Sequence, residues 1–420
     1  MMTSDENMSP RSLTHLQRLL SSPRPSPRNS IASRWRHYHG AAGWEGLLDP
    51  LDENLRRELL RYGDLVQYAY NAFHSLPDAS SPSRHLSLLL PDRSYRPTRS
   101  LFATSSLSLP NAVPPWAPSS ASADSSPSPS WLTQRTSWIG YVAVCDSDRE
   151  VARMGRRDIV VVLRGTATCL EWAENLRTSL VPVDGEAPGG SAGDPSAPKV
   201  ARGFLNLYKT PGERVPSLSD AVVGEVRRLM DVYKGEELSV TVVGHSLGAA
   251  LALLVADELS ACAPRAPPVA VVSFGGPRVG NRAFAERLER SRGVGVLRIV
   301  NAGDVVTRVP GLPHARNGYE HVGTELRLHT SDSPCLRPSA GPACSHDLES
   351  YLHLVDGFAG TGRPFRPDAR RCIVRLLQLQ RASVRASYVK RAFELGIDRK
   401  ATAATGLSRS DSYGCVLSPS

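Results

Sequence analysis

Val240-Thr-Val-Val-Gly244-His245-Ser246-Leu247-Gly248-Ala-Ala250 is the stretch that decides how this chain is read. A β-branched run stops at a glycine, a serine stands two residues on, and a second glycine opens an alanine- and leucine-rich stretch. Strand, sharp turn and helix follow one another, which is the context that gives a G-x-S-x-G match its meaning. A serine on such a turn has a strained backbone, and side chains at 244 or 248 would crowd it. The turn leaves a hydroxyl at the carboxyl end of a strand, beside the free N–H groups of a helix N-terminus.

Similar runs flank this one. Upstream, Trp138-Ile-Gly-Tyr-Val-Ala-Val144 alternates as a strand, and Asp158-Ile-Val-Val-Val-Leu163 reads as a fully buried one. Val222, Val226, Leu229 and Tyr233 mark an amphipathic helix leading into the serine strand. Downstream come Val269-Ala-Val-Val-Ser-Phe274, a helix to about Ser291, and the strand Val296-Leu-Arg-Ile-Val300. Buried strands alternating with helices predict an α/β fold, a mostly parallel sheet covered by helices on both faces, with ligands at the carboxyl ends of the strands.

Before this alternating region, Leu55, Leu59 and Tyr62 fall at helical spacing with Asp52 and Glu53 in the first turn. Gly63 separates them from a second helical stretch, Leu65 to Phe73, and the pair reads as a helical hairpin. Residues 1–30 are rich in Ser, Arg and Pro and have no apolar core, so they are not a secretory signal. They suit a disordered leader or an organelle transit peptide, although Asp5 and Glu6 depart from that pattern. A Ser/Pro-rich insert over about 111–135 and a Gly/Pro/Ala loop over 184–199 interrupt a main domain of 31–362. Residues 363–420 form a basic extension in which Val384, Tyr388, Ala392 and Leu395 share one helical stripe.

A composition of 41% hydrophobic and 22% charged residues over 420 positions supports a large packed core. The longest apolar runs, such as Ala249–Ala256, are too short to span a bilayer. The formal charge of +9 favours anionic partners. No zinc-finger spacing, RNP-like run or basic-leucine pattern points to nucleic acid, so a peripheral membrane surface is the expected partner. Seven cysteines, odd in number and with no C-x-x-C pair, argue against a disulfide framework or structural zinc. Cys335 and Cys344 alone are close enough to bridge a loop.

If Ser246 is a nucleophile, it needs a histidine base and a carboxylate to orient that base. In α/β-hydrolases they follow in the order Ser, Asp, His. Asp304, in Asn301-Ala-Gly-Asp304 directly after a strand, is the candidate carboxylate. Of the later histidines, His314, His321, His329, His346 and His353, His321 and His329 lie in or beside a likely strand, where a surface role is expected. His346 and His353 stand seven residues apart, hence on one helical face away from the stripe of Leu348, Leu352 and Val355. Periodicity does not choose between them, but His346 lies at a loop-to-helix junction, from which a strand-end site is within easier reach. Oxyanion donors are also needed. The Leu247 N–H is one by position, and Thr166 in Arg164-Gly165-Thr166 can supply a second.

With these pieces placed, the chain resembles the class 3 (fungal-type) lipases, and more closely their plant branch, the DAD-like phospholipase A1 group. The residues that carry the likeness are Ser33-Arg-Trp-Arg36, Trp44–Arg56, Leu163–Thr166 with Glu171-Trp172, Gly203-Phe-Leu205 and Gly244–Gly248. Ser273-Phe-Gly-Gly-Pro-Arg-Val-Gly-Asn281, Asn301–Asp304 with Val309-Pro-Gly311, and His346–His353 complete it. The resemblance implies an α/β-hydrolase fold, a triad of Ser246, Asp304 and His346, an oxyanion hole at Thr166 and Leu247, and a lid near Leu170–Leu176. It further implies a phospholipase A1 or galactolipase that cleaves the sn-1 ester of membrane glycerolipids, without metal or redox cofactor. Some members are plastid-targeted, so a chloroplast location is expected, with the cytoplasm as alternative. A catalytically inactive lipase-like interaction protein is the rival reading. Such a module has no need of the strained Ser246 together with a complete triad.

Overall fold

The computed structural model describes residues 30–75, 90–106, 135–166, 177–184, 197–261, 267–310, 318–334, 336, 345–367, 369 and 371. A short helical turn, α1 (Trp35–Tyr38), precedes the long helix α2 (Glu53–Ser75), strands β1 (Tyr95–Thr104) and β2 (Thr136–Cys145), α3 (Asp148–Met154) and β3 (Arg157–Leu163). The short strands β4 (Leu180–Pro182) and β5 (Lys199–Ala201) lead to α4 (Arg202–Lys209) and α5 (Leu218–Val232). Then follow β6 (Leu238–His245), α6 (Leu247–Ala261), β7 (Val269–Phe274), β8 (Gly280–Asn281), α7 (Arg282–Arg290) and β9 (Val294–Asn301). Strands β10 (Tyr319–Glu320) and β11 (Thr324–Leu328) and helix α8 (Leu348–Gly357) complete the described elements.

The main sheet runs β1-β2-β3-β6-β7-β9-β11. From β3 to β11 its strands are parallel, and β1 and β2 add an antiparallel edge. This is the α/β-hydrolase fold. A small antiparallel sheet, β10-β8-β5-β4, lies apart from it in hydrogen bonding. Strands β3 and β7 are buried at every position, which is why they read as unbroken β-branched runs. Their side chains alternate between two cores. Ile159, Val161 and Leu163 join one face with α4, α5, α6 and α7, whereas Val160 and Val162 join the other with α2 and α8.

Strand β2 contains the alternating run 138–144 and is buried at all positions but its first. The expected hairpin around Gly63 is one continuous helix, α2, capped by Asp52, whose carboxylate accepts from the N–H groups of Asn54 (2.8 Å) and Leu55 (3.1 Å). Gly63 is there for contact and not for a break. A Cβ at that position would lie 2.1 Å from Leu352 Cδ2, so the missing side chain lets α8 cross α2 closely. Beyond residue 362 the chain still packs on this face: Phe365 lies against His353, with ring centroids 5.0 Å apart, and buried Arg371 pairs with Asp64. The stripe Val384–Leu395, the Ser/Pro insert and the Cys335–Cys344 pair lie outside the described residues.

The amino-terminal end of the sheet is held by a buried polar clamp. Asp158 is fully buried and accepts from Tyr62 (2.9 Å), Tyr95 (3.0 Å), Ser239 (2.7 Å) and Thr241 (2.8 Å), tying α2, β1, β3 and β6 together. Near it, Arg153 bridges Glu58 and Glu150, and Arg61 reaches Glu58, Glu150 and Asp92. Among the described residues no helix is long and apolar enough to cross a membrane.

Two histidines are buried neutral in this framework. His39 contacts Thr241 Oγ1 at 3.2 Å, and burial, then Arg156, holds its pKa well below the ordinary value. His353 contacts Ser333 Oγ at 2.6 Å, and burial, then Arg371, lowers its pKa to about 4. A depressed folded pKa gives stability that is complete above the unfolded value of about 6.5 and is lost as pH falls towards the folded one. For His353 the full loss amounts to about 3 kcal/mol. Thermal melts from pH 7.5 down to 4.5 are therefore expected to fall more steeply for the wild type than for His353→Gln. Parallel curves would show that His353 does not titrate between the two states.

Candidate active site

Strand β6 ends at His245, and Ser246 follows with φ of +56°, in the left-handed region that side chains disfavour. Its N–H donates to the Phe274 carbonyl at 3.0 Å, and its carbonyl accepts from Ala249 (3.0 Å) and Ala250 (3.2 Å), so the turn is bonded on both sides. The flanking glycines are required by contact. A Cβ at 244 would lie 2.3 Å from the Gly248 backbone, and one at 248 would lie 2.3 Å from the Leu163 carbonyl oxygen. Helix α6 thus backs directly onto the ends of β3 and β6, and its side chains are buried almost all round.

The parallel register brings the strand ends into one row. Leu163 pairs with Gly244, His245 with Phe274, and Phe274 with Ile299. At the end of β9, the turn Asn301–Asp304 closes with the Asp304 N–H on the Asn301 carbonyl at 2.9 Å. Asp304 is fully buried. Its Oδ1 accepts from the Val306 N–H at 2.9 Å, and its Oδ2 faces His346 Nδ1 at 2.7 Å and accepts from the Tyr351 hydroxyl at 2.7 Å. His346 Nε2 stands 2.8 Å from Ser246 Oγ. An acceptor-only carboxylate at Nδ1 places the ring proton there and leaves Nε2 free to accept from the serine.

Of the two histidines left open by spacing, His346 is brought to Ser246 and Asp304, and His353 is not. The seven-residue relation fails because α8 begins only at Leu348, with Asp347 as its cap accepting from Glu349 (2.9 Å) and Ser350 (3.3 Å). His353 is buried and not on an outer face. His346 belongs to the incoming chain, whose preceding carbonyl, that of Ser345, accepts from Asn301 Nδ2 at 2.9 Å.

The candidate oxyanion donors lie next to Ser246 in the chain and in space. Leu247 is the first residue of α6, so its N–H has no intrahelical acceptor. Past β3, a Cβ at Gly165 would lie 3.0 Å from Ser246 Cβ, which sets the Gly165–Thr166 segment against the serine. Fully buried Arg164 donates from Nη1 to the Gly165 carbonyl at 2.7 Å. That carbonyl shares a planar peptide with the Thr166 N–H, so holding one directs the other. The expected lid, Leu170–Leu176, lies outside the described residues, as does His314.

The class 3 lipase family model matches residues 160–314. Phospholipase A(1) DAD1, chloroplastic, of Arabidopsis thaliana is 45% identical over 381 residues, covering 82% of this chain and 81% of that protein. Phospholipase A1-II 3 of Oryza sativa subsp. japonica is 40% identical, covering 79% and 81%. The chain belongs to the class 3 lipase family. It falls with the plant phospholipase A1 proteins and is a hydrolase of lipid carboxylic esters. Phospholipase A1-Igamma1, chloroplastic, of Arabidopsis thaliana is 40% identical, covering 80% and 69%. Among solved structures, the lipase of Rhizopus microsporus var. chinensis is 21% identical and covers 68% of this chain and 78% of its own, with a TM-score of 0.42.

Three side chains of this lipase escape sequence reasoning. Tyr351 also accepts the Asn301 N–H at 3.1 Å, so one hydroxyl joins the carboxylate turn to α8. Burial, then the charge of Asp304, raises its pKa well above the ordinary value and keeps it a donor. The only hint in the sequence is a tyrosine within the apolar run 348–355. Tyr70 contacts His245 Nδ1 at 2.7 Å, and His245 occupies the unspecified position of the glycine–serine motif. Neither is marked by spacing.

Because the Gly248 clash is with backbone and not with a movable side chain, Gly248→Ala is expected to lower stability by about 2 kcal/mol or more. Its denaturant midpoint should fall accordingly. An unchanged midpoint would mean that α6 can retreat from β3 at no cost.

Proposed function

We propose that this lipase is a serine acylhydrolase in which Ser246 is the nucleophile, His346 the base and Asp304 the orienting carboxylate. The observation that carries the reading is the unbroken pair of contacts, 2.7 Å from Asp304 to His346 and 2.8 Å from His346 to Ser246. His346 Nε2 takes the Ser246 proton as Oγ attacks the ester carbonyl. The tetrahedral oxyanion is held by the N–H groups of Leu247 and Thr166, with the Thr166 hydroxyl at hand. His346 then gives its proton to the departing alcohol, and water, activated by the same nitrogen, clears the acyl-enzyme. Buried Asp304 stabilises the imidazolium that forms in each half.

The substrate in this proposal is the sn-1 ester of membrane glycerolipids, phospholipid and galactolipid, and the setting is the plastid. Support comes from relatives named phospholipase A1, two of them named chloroplastic. A peripheral membrane surface is supported by Val305 and Val309. Each is 51% exposed, on the segment that follows Asp304 at the carboxyl end of the sheet. A net charge of +9 favours an anionic lipid surface.

The test is hydrolysis of phosphatidylcholine, monogalactosyldiacylglycerol and triolein by wild type and Ser246→Ala, with products resolved as 1-lyso or 2-lyso species. Wild type is expected to release the sn-1 chain, and Ser246→Ala to lose activity by a factor on the order of a thousand or more. If both are inert on lipids and on a p-nitrophenyl ester, the interaction-protein reading takes its place. Tyr351→Phe removes one of the hydrogen bonds that fix Asp304 and is expected to lower kcat about tenfold with little change in KM. An unchanged kcat would show that Asp304 is positioned without it.

A further inference from the structure

We propose that Tyr70 and His245 are a positioning pair that links the oxyanion loop to the backbone of the catalytic base, so that both are set against Ser246 by one chain of hydrogen bonds. The inference rests on the Ser246–His346–Asp304 reading and adds residues that this reading does not use.

Three contacts make the chain. The Gly165 N–H donates to Tyr70 Oη at 2.7 Å, Tyr70 Oη meets His245 Nδ1 at 2.7 Å, and His245 Nε2 meets the His346 carbonyl at 2.8 Å. Their directions follow from chemistry. A carbonyl can only accept, so Nε2 of His245 carries the proton. In a neutral ring Nδ1 is then an acceptor, and the Tyr70 hydroxyl donates to it. The tyrosine oxygen remains free to accept from Gly165. Every step therefore has a donor facing an acceptor.

The ring is held neutral. Burial, with the adjacent His346 as a lesser cause, pushes the His245 pKa well below the ordinary value. Neutrality matters because the two imidazoles lie only 4.8 Å apart, centroid to centroid. A second cation there would oppose the positive charge that His346 gains as Ser246 attacks. His245 cannot itself be the base, since both nitrogens are engaged and neither contacts Ser246 Oγ. Gly165 fits the same arrangement, because a Cβ there would lie 2.2 Å from Tyr70 Oη and would push the hydroxyl out of line. The chain therefore joins α2 to the end of β3, the end of β6 and the segment before α8, which are the elements that carry the oxyanion loop, nucleophile and base.

Tyr70→Phe keeps the ring and removes the hydroxyl. On p-nitrophenyl butyrate and on phosphatidylcholine vesicles alike, its kcat is expected to fall about tenfold or more, with KM within about twofold of wild type. Labelling of Ser246 by a p-nitrophenyl phosphonate should slow by a similar factor, since that reaction uses the same base and oxyanion donors. His245→Asn retains an acceptor for Tyr70 but loses the donor to His346, and is expected to show the same split. If the two residues act as one chain, the double variant is no slower than the slower single. A folded Tyr70→Phe enzyme with unchanged kcat would overturn the proposal, and so would losses that multiply in the double variant. Should Tyr70→Phe not fold, His245→Asn alone carries the kcat and labelling tests. Activity surviving in Ser246→Ala would instead overturn the triad reading, whatever the Tyr70 variants do.

Discussion

The close seating of helix α6 on the ends of β3 and β6 is the constraint on which the site depends. With Gly244 and Gly248 in mutual contact and Gly248 against the Leu163 carbonyl, the chain has no room to pass from strand to helix except through a left-handed residue. That residue is Ser246. A non-glycine residue there costs on the order of 1–3 kcal/mol, and the surroundings must over-determine it. They do: its N–H is bonded to β7, its carbonyl to the first turn of α6, and the strands on either side are buried throughout. The hydroxyl stands clear of the sheet because the backbone has no alternative course.

The two ends of the sheet divide the work. At the amino-terminal end, Asp158 and the Glu58, Arg61, Glu150 and Arg153 cluster link α2 and α3 to the strands. At the carboxyl end the polar groups are paired too, but the pairing runs toward the Ser246 hydroxyl, the proposed nucleophile. Asp304 has contacts with Val306, Tyr351 and His346, so the carboxylate is held without solvent and points at one imidazole. The long helix α2 spans both tasks, with Tyr62 in the clamp and Tyr70 two turns further on at the active end.

Much of the fold was legible from residues 240–250 and from the strand and helix periods. The parallel sheet and the elbow follow from local pattern, whereas Asp304 and His346 were candidates by position, and spacing left His346 and His353 open. What was not legible depends on partners distant in sequence. Gly63 reads as a break because glycine lowers helix propensity, and only Leu352 of α8, nearly three hundred residues on, explains why it sits inside a helix. His353 resembles His346 by spacing until α8 is seen to start between them. Tyr70 and His245 carry no signal, since a tyrosine on a helix and the variable residue of a motif become informative only when a hydrogen bond joins them.

The distribution of exposure within the site is itself part of the mechanism. Asp304, His245 and Tyr351 are buried, which keeps the carboxylate unscreened and the neighbouring imidazole neutral. The His346 side chain is left 22% exposed. In the proposed mechanism His346 must pass its proton to a departing alcohol and then draw another from water, so it has to meet both at the surface of the site. Its orientation therefore has to come from behind, through Asp304 on Nδ1 and through bonds to the Ser345 and His346 carbonyls. A histidine placed deeper, as His353 is, would be better protected and could not exchange its proton with either.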